Sequence, residues 1–296
     1  MIHRPVGNRG HRRRDAVAAA SRALLAALFW AAALTARPEE VEDIQYLPQG
    51  TSPQTTLSAF LPARTTGAPI LTFFHGGGWR SGDKSDLYDF ARRLADEGVI
   101  VVLPNYRLAP ASRHPAQAED AAAAVAWVAA RLSGWAADAR CHFLGGHSAG
   151  GHLAALLATA DEFLAARDLS PRAIAGVVGV SGVYRIAPQE GGATREFVAS
   201  VFGDEEAVWQ AASPTRRLSS RAPGAALPPF ALVWSESEHP LAVKESVEFA
   251  RALRRSGGTA LEERLSRGEH GAGLDQVSGR LLTELAGGVC RAPTGG

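Results

Sequence analysis

Apolar residues fall in short, nearly unbroken runs: Ile70–Phe74, Val99–Leu103, Cys141–Leu144, Ile174–Val180 and Phe230–Trp234, with Thr72 and His142 as the polar interruptions. Runs of this length read as strands buried on both faces. Between them lie helical stretches of ten residues or more. Leu87–Asp96 places apolar side chains at Leu87, Phe90, Ala91 and Leu94; Pro115–Leu132 is alanine-rich with Glu119 and Asp120 in its first turns, where the helix dipole favours acids. Helices are also expected at Ala149–Ala160, Ala242–Arg255 and Leu274–Ala286, with a further strand at Leu261–Leu265. Strands alternating with helices imply an α/β domain, a doubly wound and mostly parallel sheet with helices on both faces. Ahead of it, Val41–Pro62 has shorter apolar stretches broken by Pro48 and Pro53, which suits one or two antiparallel strands. Residues 184–229 are too long for a plain connection, and Phe197, Val198, Val201, Phe202 and Trp209 suit a small helical cap; the alternative is a surface loop.

Composition leaves this picture intact. The 296 residues suffice for one large domain, placed at 41–290, and 31 basic against 30 acidic residues give no footprint for nucleic acid. Only the N-terminus departs from it. Six arginines up to Arg22 precede the apolar run Ala23–Ala36, which reads as a secretory signal peptide over residues 1–36, ending near Leu34 and Ala36 or Ala31 and Ala33. Export to a periplasmic or secreted location is therefore expected over a cytoplasmic one. An uncleaved anchor with transient membrane contact is the next reading, although Arg22 leaves the run short of the roughly 20 residues a span needs. The two cysteines, Cys141 and Cys290, are expected as free thiols, because Cys141 opens a buried strand where a thiol packs as a small hydrophobe.

Chemistry concentrates in three places. Gly146-His-Ser-Ala-Gly150 fits the pattern G-x-S-x-G, and a strand ends before it while the apolar helix of Leu153–Leu157 follows. Ser148 would then sit on a sharp strand-to-helix turn, with Gly146 and Gly150 removing side chains that so crowded a turn cannot hold. His75-Gly-Gly-Gly-Trp79 follows the first long strand. Acyl transfer develops an oxyanion, and backbone N–H groups in a glycine loop can approach it; Gly77 and Gly78, with Ala149 after the serine, are the candidate donors, and Gly76 is the nearest substitute. His75 and Trp79 are assigned to shaping the loop.

A serine nucleophile needs a base, which in this order of elements follows it along the chain. His152, His239 and His270 all do so, and His270, in the Gly-rich segment Ser266–Gly273 after the last strand, is the one a loop could carry to Ser148. His152 lies one turn into a helix, facing packing or solvent, and His239 lies among acids. The orienting acid belongs in the loop after Phe230–Trp234, which offers Glu236 and Glu238 and no aspartate; spacing does not separate the two.

Taken together, His75–Trp79, Ser81-Gly-Asp-Lys84, Asn105-Tyr-Arg-Leu-Ala-Pro110 and Gly146-His-Ser-Ala-Gly-Gly-His152 resemble the bacterial carboxylesterase group of the α/β-hydrolases, which takes in hormone-sensitive-lipase-like esterases, feruloyl esterases and arylformamidases. The likeness runs from about Val41 to the last helix. It implies a small ester as substrate and no cofactor, and it aligns Glu238 with the position where the family usually has aspartate. Ser235 stands where glycine is common, and Arg185 stands where an aspartate often follows.

The expected activity is hydrolysis of a small carboxylic ester through an acyl-serine, with arylformamide or feruloyl ester cleavage as the alternative within the same chemistry. A non-catalytic binding protein on the same scaffold is the reading from another class. A metal site is disfavoured, since His142, His147 and His152 are spaced by five and do not share a helix face.

Overall fold

A computed structural model describes residues 38–48, 52–189, 192–221, 226–288 and 290. The signal-peptide reading of residues 1–36 lies outside the described residues.

Eight strands form one sheet. They are β1 (Glu39–Gln45), β2 (Thr56–Leu61), β3 (Ile70–Phe74), β4 (Ile100–Pro104), β5 (His142–His147), β6 (Gly176–Val180), β7 (Phe230–Ser235) and β8 (Ala260–Leu265), in the order β1-β2-β4-β3-β5-β6-β7-β8. Strands β1 and β2 are antiparallel additions, as the broken pattern of Val41–Pro62 suggested, and the remaining six run parallel. Every residue of β2, β3, β4, β6 and β7 is buried, which explains their solid apolar runs. The edges differ. β1 carries Glu39, Glu40 and Glu42 outward, and β8 exposes Glu263 and Arg264, charges that discourage further strand pairing.

Helices cover both faces. On one side α1 (Tyr88–Asp96) and a C-terminal helix at Gly279–Leu285 pack through Leu94 and Leu281 on Phe73, Phe143 and Val178. On the other, α2 (Ala116–Ala129), α3 (Ala149–Thr159) and a long helix at Pro240–Arg255 pack through Ala122, Leu153 and Phe249 on Leu144, Val177 and Leu232. A short α4 (Asp161–Ala165) follows α3.

The described part of the segment between β6 and β7 is irregular over 181–189 and then carries three short helices. It forms α5 (Arg195–Phe202), capped by the Thr194 side chain, then α6 (Glu206–Ala211) and α7 (Pro214–Ser220), which starts on a proline suited to a first turn. The long helix α8 (Pro240–Arg255) and α9 (Gly279–Leu285) are the last helices among the described residues. The expected helix at Leu274–Ala286 is two pieces, a 3-10 turn at Ala272–Gln276 and α9, because Ser278 caps the N–H of Leu281 and starts the second afresh.

The expectation of free thiols is wrong. Cys141 and Cys290 form a disulfide, with Cα atoms 5.5 Å apart across a sequence separation of 149. Burial of Cys141 at the start of β5 is correct, but the chain after α9 returns to the same spot and brings the second sulfur with it. Asp120 also departs from expectation: it is buried and takes two hydrogen bonds from the Arg107 guanidinium and one from the Arg107 N–H, so a specific partner holds it beyond any helix dipole.

Candidate active site

Ser148 lies between the end of β5 and the start of α3, with φ 55° and ψ −116°, a conformation that L-residues adopt only when their surroundings impose it. The surroundings here leave no room for side chains. A Cβ on Gly146 would stand 2.2 Å from the Gly150 carbonyl carbon, and one on Gly150 would stand 2.0 Å from the Phe74 oxygen. The turn is further fixed by the Ser148 N–H, which donates to the Val180 carbonyl at 2.9 Å, tying it to the end of the neighbouring strand β6.

The glycine loop is braced from below. Tyr106 stacks on His75 with centroids 4.3 Å apart, and its hydroxyl donates to the His75 carbonyl. Asn105 donates to Asp83 and accepts from the Lys84 N–H, and Asp83 caps the turn that follows. Trp79 is buried, and its indole N–H donates to His152 Nδ1, whose Nε2–H donates to the Ala212 carbonyl. His152 is therefore a buried bridge from the glycine loop to the segment between α6 and α7, held neutral as burial pushes it down to about 3. Of the three N–H groups expected to face an oxyanion, those of Gly77 and Gly78 donate to no acceptor among the described residues, and that of Ala149 is an orphan at the first position of α3. Both loop glycines have positive φ, 107° and 59°.

Above this loop sits the first helix of the insertion. The Phe197 ring lies 3.1 Å from where a Cβ on Gly78 would stand, and Phe202 meets Trp79 edge-on at 5.0 Å. Residues Phe197 and Phe202 of the expected cap therefore reach the expected oxyanion loop directly.

At the carboxyl end of the sheet, the loops after β7 and β8 meet. Glu238 is buried, and its Oε2 lies 3.4 Å from His270 Nδ1. Glu236 is exposed, with its N–H bonded to the Leu265 carbonyl, so of the two candidate acids only Glu238 reaches the histidine. Ser237 locks the loops together, its hydroxyl donating to the Gly268 carbonyl and accepting from the Gly268 N–H. Burial pushes Glu238 upward, but hydrogen bonds from His270, Ser181 and the Ser235 N–H outweigh it, leaving the carboxyl below the usual glutamate range. His239 takes no part; its side chain caps the Leu241 N–H at the start of α8.

His270 faces His147, the residue before Ser148, with ring centroids 4.6 Å apart. No hydrogen bond joins Ser148 Oγ to His270 among the described residues. His147 fits between the two loops, its Nδ1 2.9 Å from where a Cβ on Gly76 would stand and its Nε2 3.4 Å from the same atom on Gly271. Burial, reinforced by His270, pushes the His147 imidazole down to about 4, so it stays neutral beside His270. This wedge had no signal in the sequence beyond the glycines on either side of it. Among the described residues no group of histidines, cysteines and acids is arranged to hold a metal ion.

A parallel sheet that presents a serine on a strained turn, a glycine loop with unspent N–H groups and an acid–histidine pair defines a hydrolase scaffold of the nucleophile-elbow kind. Residues 71–272 match the model of the alpha/beta hydrolase fold, and the chain belongs to that family. Kynurenine formamidase of Danio rerio is 28% identical over 242 residues, covering 81% of this chain and 79% of the formamidase. Esterase LipC of Mycobacterium tuberculosis is 30% identical over 203 residues, 64% of this chain, which spans about half of that relative's length. Among solved structures, esterase B of Lactobacillus rhamnosis superposes with a TM-score of 0.72 at 24% identity, covering 92% of this chain and 95% of its own, a likeness of fold.

Proposed function

We propose that the chain hydrolyses small carboxylic esters through an acyl-serine intermediate, with Ser148 as nucleophile, His270 as base and Glu238 as the acid that orients it. The observation that carries this reading is the set of loops at one end of the sheet: a strained Ser148, free N–H groups at Gly77, Gly78 and Ala149, and His270 in contact with a buried, ionised Glu238. His270 takes the Ser148 proton as Oγ attacks the ester carbonyl, and returns it to the departing alcohol. The N–H groups of Gly77, Gly78 and Ala149 receive the oxyanion, a contribution of about 3 kcal/mol for each well-placed donor. A water activated by His270 then releases the acid and restores the serine. The Ser148–His270 hydrogen bond forms when substrate orders the site, as is common for catalytic contacts that are long in the free enzyme.

The formamidase likeness keeps an aryl-formamide in view as a second substrate, because the same attack on a carbonyl cleaves it. The Cys141–Cys290 pairing supports a place outside the reducing cytoplasm, in keeping with an exported protein. Turnover of nitrophenyl esters of rising acyl length, beside N-formylkynurenine and methyl ferulate, tests the reading. Ester turnover that Ser148→Ala and Glu238→Gln reduce, and that Glu236→Gln leaves intact, is expected. Failure on every ester refutes it, and preference for N-formylkynurenine moves the substrate to the formamides.

A further inference from the structure

We infer that Ser181 is a positioning residue for the triad acid, an inference that rests on the proposed roles of Glu238 and His270. Ser181 is the first residue after β6, buried, with φ 47°, a left-handed conformation costly for a residue that carries a Cβ. That conformation aims its hydroxyl at Glu238, whose Oε1 accepts its hydrogen bond at 2.5 Å. The same oxygen accepts the Ser235 N–H at 3.2 Å. With two donors on Oε1, the carboxylate cannot rotate freely, and Oε2 is the oxygen left for His270 Nδ1.

The need for such a holder follows from the side chain used. Glutamate has one more rotatable bond than aspartate, so its carboxylate reaches further but is less defined by its own backbone. Ser181 and the Ser235 N–H supply the missing definition from two adjacent strands. The strand end that carries Ser181 also fixes the nucleophile, since the Val180 carbonyl accepts the Ser148 N–H while the Ser181 N–H donates to the Val233 carbonyl of β7. Val180 at the end of β6 and Ser181 just after it thus set the nucleophile and the acid against one another. His147 and Tyr184 also feel the Glu238 charge, and neither is hydrogen-bonded to its carboxylate among the described residues.

The test is steady-state kinetics on a nitrophenyl ester for Ser181→Ala, Ser181→Gly and each of these in the Glu238→Gln background. Losing one hydrogen bond to a charged group is expected to lower kcat roughly 10- to 100-fold in the Glu238 enzyme while KM stays within about 2-fold. Glycine accepts the positive φ without strain and so guards against a backbone-driven folding failure, and Ser181→Gly should lose activity as Ser181→Ala does. In the Glu238→Gln background neither substitution should cost more than about 2-fold, because the hydroxyl then has no carboxylate to hold. Full kcat in Ser181→Gly overturns the inference, as does an equal loss in both backgrounds. An inactive Ser148→Ala beside a fully active Glu238→Gln would instead refute the acid assignment on which the inference stands.

Discussion

Removing the disulfide by Cys290→Ser gives a perturbation whose size can be worked from chain length. The bond closes a loop with a sequence separation of 149, and in the chain-entropy relation a loop of that size restricts the unfolded state by about 5 kcal/mol at 25 °C. Both sulfurs belong to buried residues, Cys141 at the start of the strand that ends on Ser148 and Cys290 just beyond α9, so the native state offers no slack to absorb the loss. For a domain of this size each kcal/mol moves the melting temperature by roughly 2–4 °C, so a fall of about 10–20 °C is expected. Thermal unfolding followed by circular dichroism compares the variant with wild type, and a thiol titration of denatured, unreduced wild type should find no free thiol. Two titratable thiols, together with a melting temperature unchanged by Cys290→Ser, would refute the reasoning.

Three further outcomes follow from contacts in and around the site. Gly150→Ala places a methyl 2.0 Å from the Phe74 oxygen, so the turn must open; loss of ester turnover with secondary structure retained is expected, and an active enzyme would contradict the elbow geometry. Phe197→Ala removes the ring above Gly78, so the ratio of kcat/KM for octanoyl over acetyl nitrophenyl esters should rise several-fold, and an unchanged ratio would show that this ring does not limit the acyl chain. His142 and His152 are neutral and fully buried, burial pushing them down from 6.5 to about 4 and about 3. Below pH 6.5 the unfolded chain takes up protons that the folded chain refuses, so stability present above that pH is lost as pH falls, by about 1.4 kcal/mol per pH unit for each ring. Urea unfolding at pH 7.5 and 5.5 should therefore differ by at least about 2–3 kcal/mol, with His114 and His147, also pushed down by burial, adding to it in the same direction; equal values would show that these rings do not resist protonation.

Local crowding made the turn at Ser148 legible: Gly146 and Gly150 are small because backbone passes within bonding range of where their side chains would lie, and that requirement is written into the sequence. The glycine loop and His270 could be placed from the order of strands and helices. Spacing did not separate the two glutamates, since both follow β7 closely; the family resemblance pointed to Glu238, and burial with the reach of His270 singles it out in three dimensions. The disulfide was misread for the same reason, as nothing in the residues around Cys290 tells where the chain after α9 returns. His152 looked like a packing residue and is the acceptor for Trp79, while Ser181 and the His147 wedge depend on pairings between strands far apart in sequence.

The proposed chemistry requires Ser148 to form the covalent intermediate. Reaction with a fluorophosphonate, followed by peptide mass mapping, should give one adduct per chain, on Ser148, with labelling abolished in Ser148→Ala and greatly slowed in a variant lacking His270. An adduct on another residue, or a Ser148→Ala protein that still labels and still turns over esters, would contradict it.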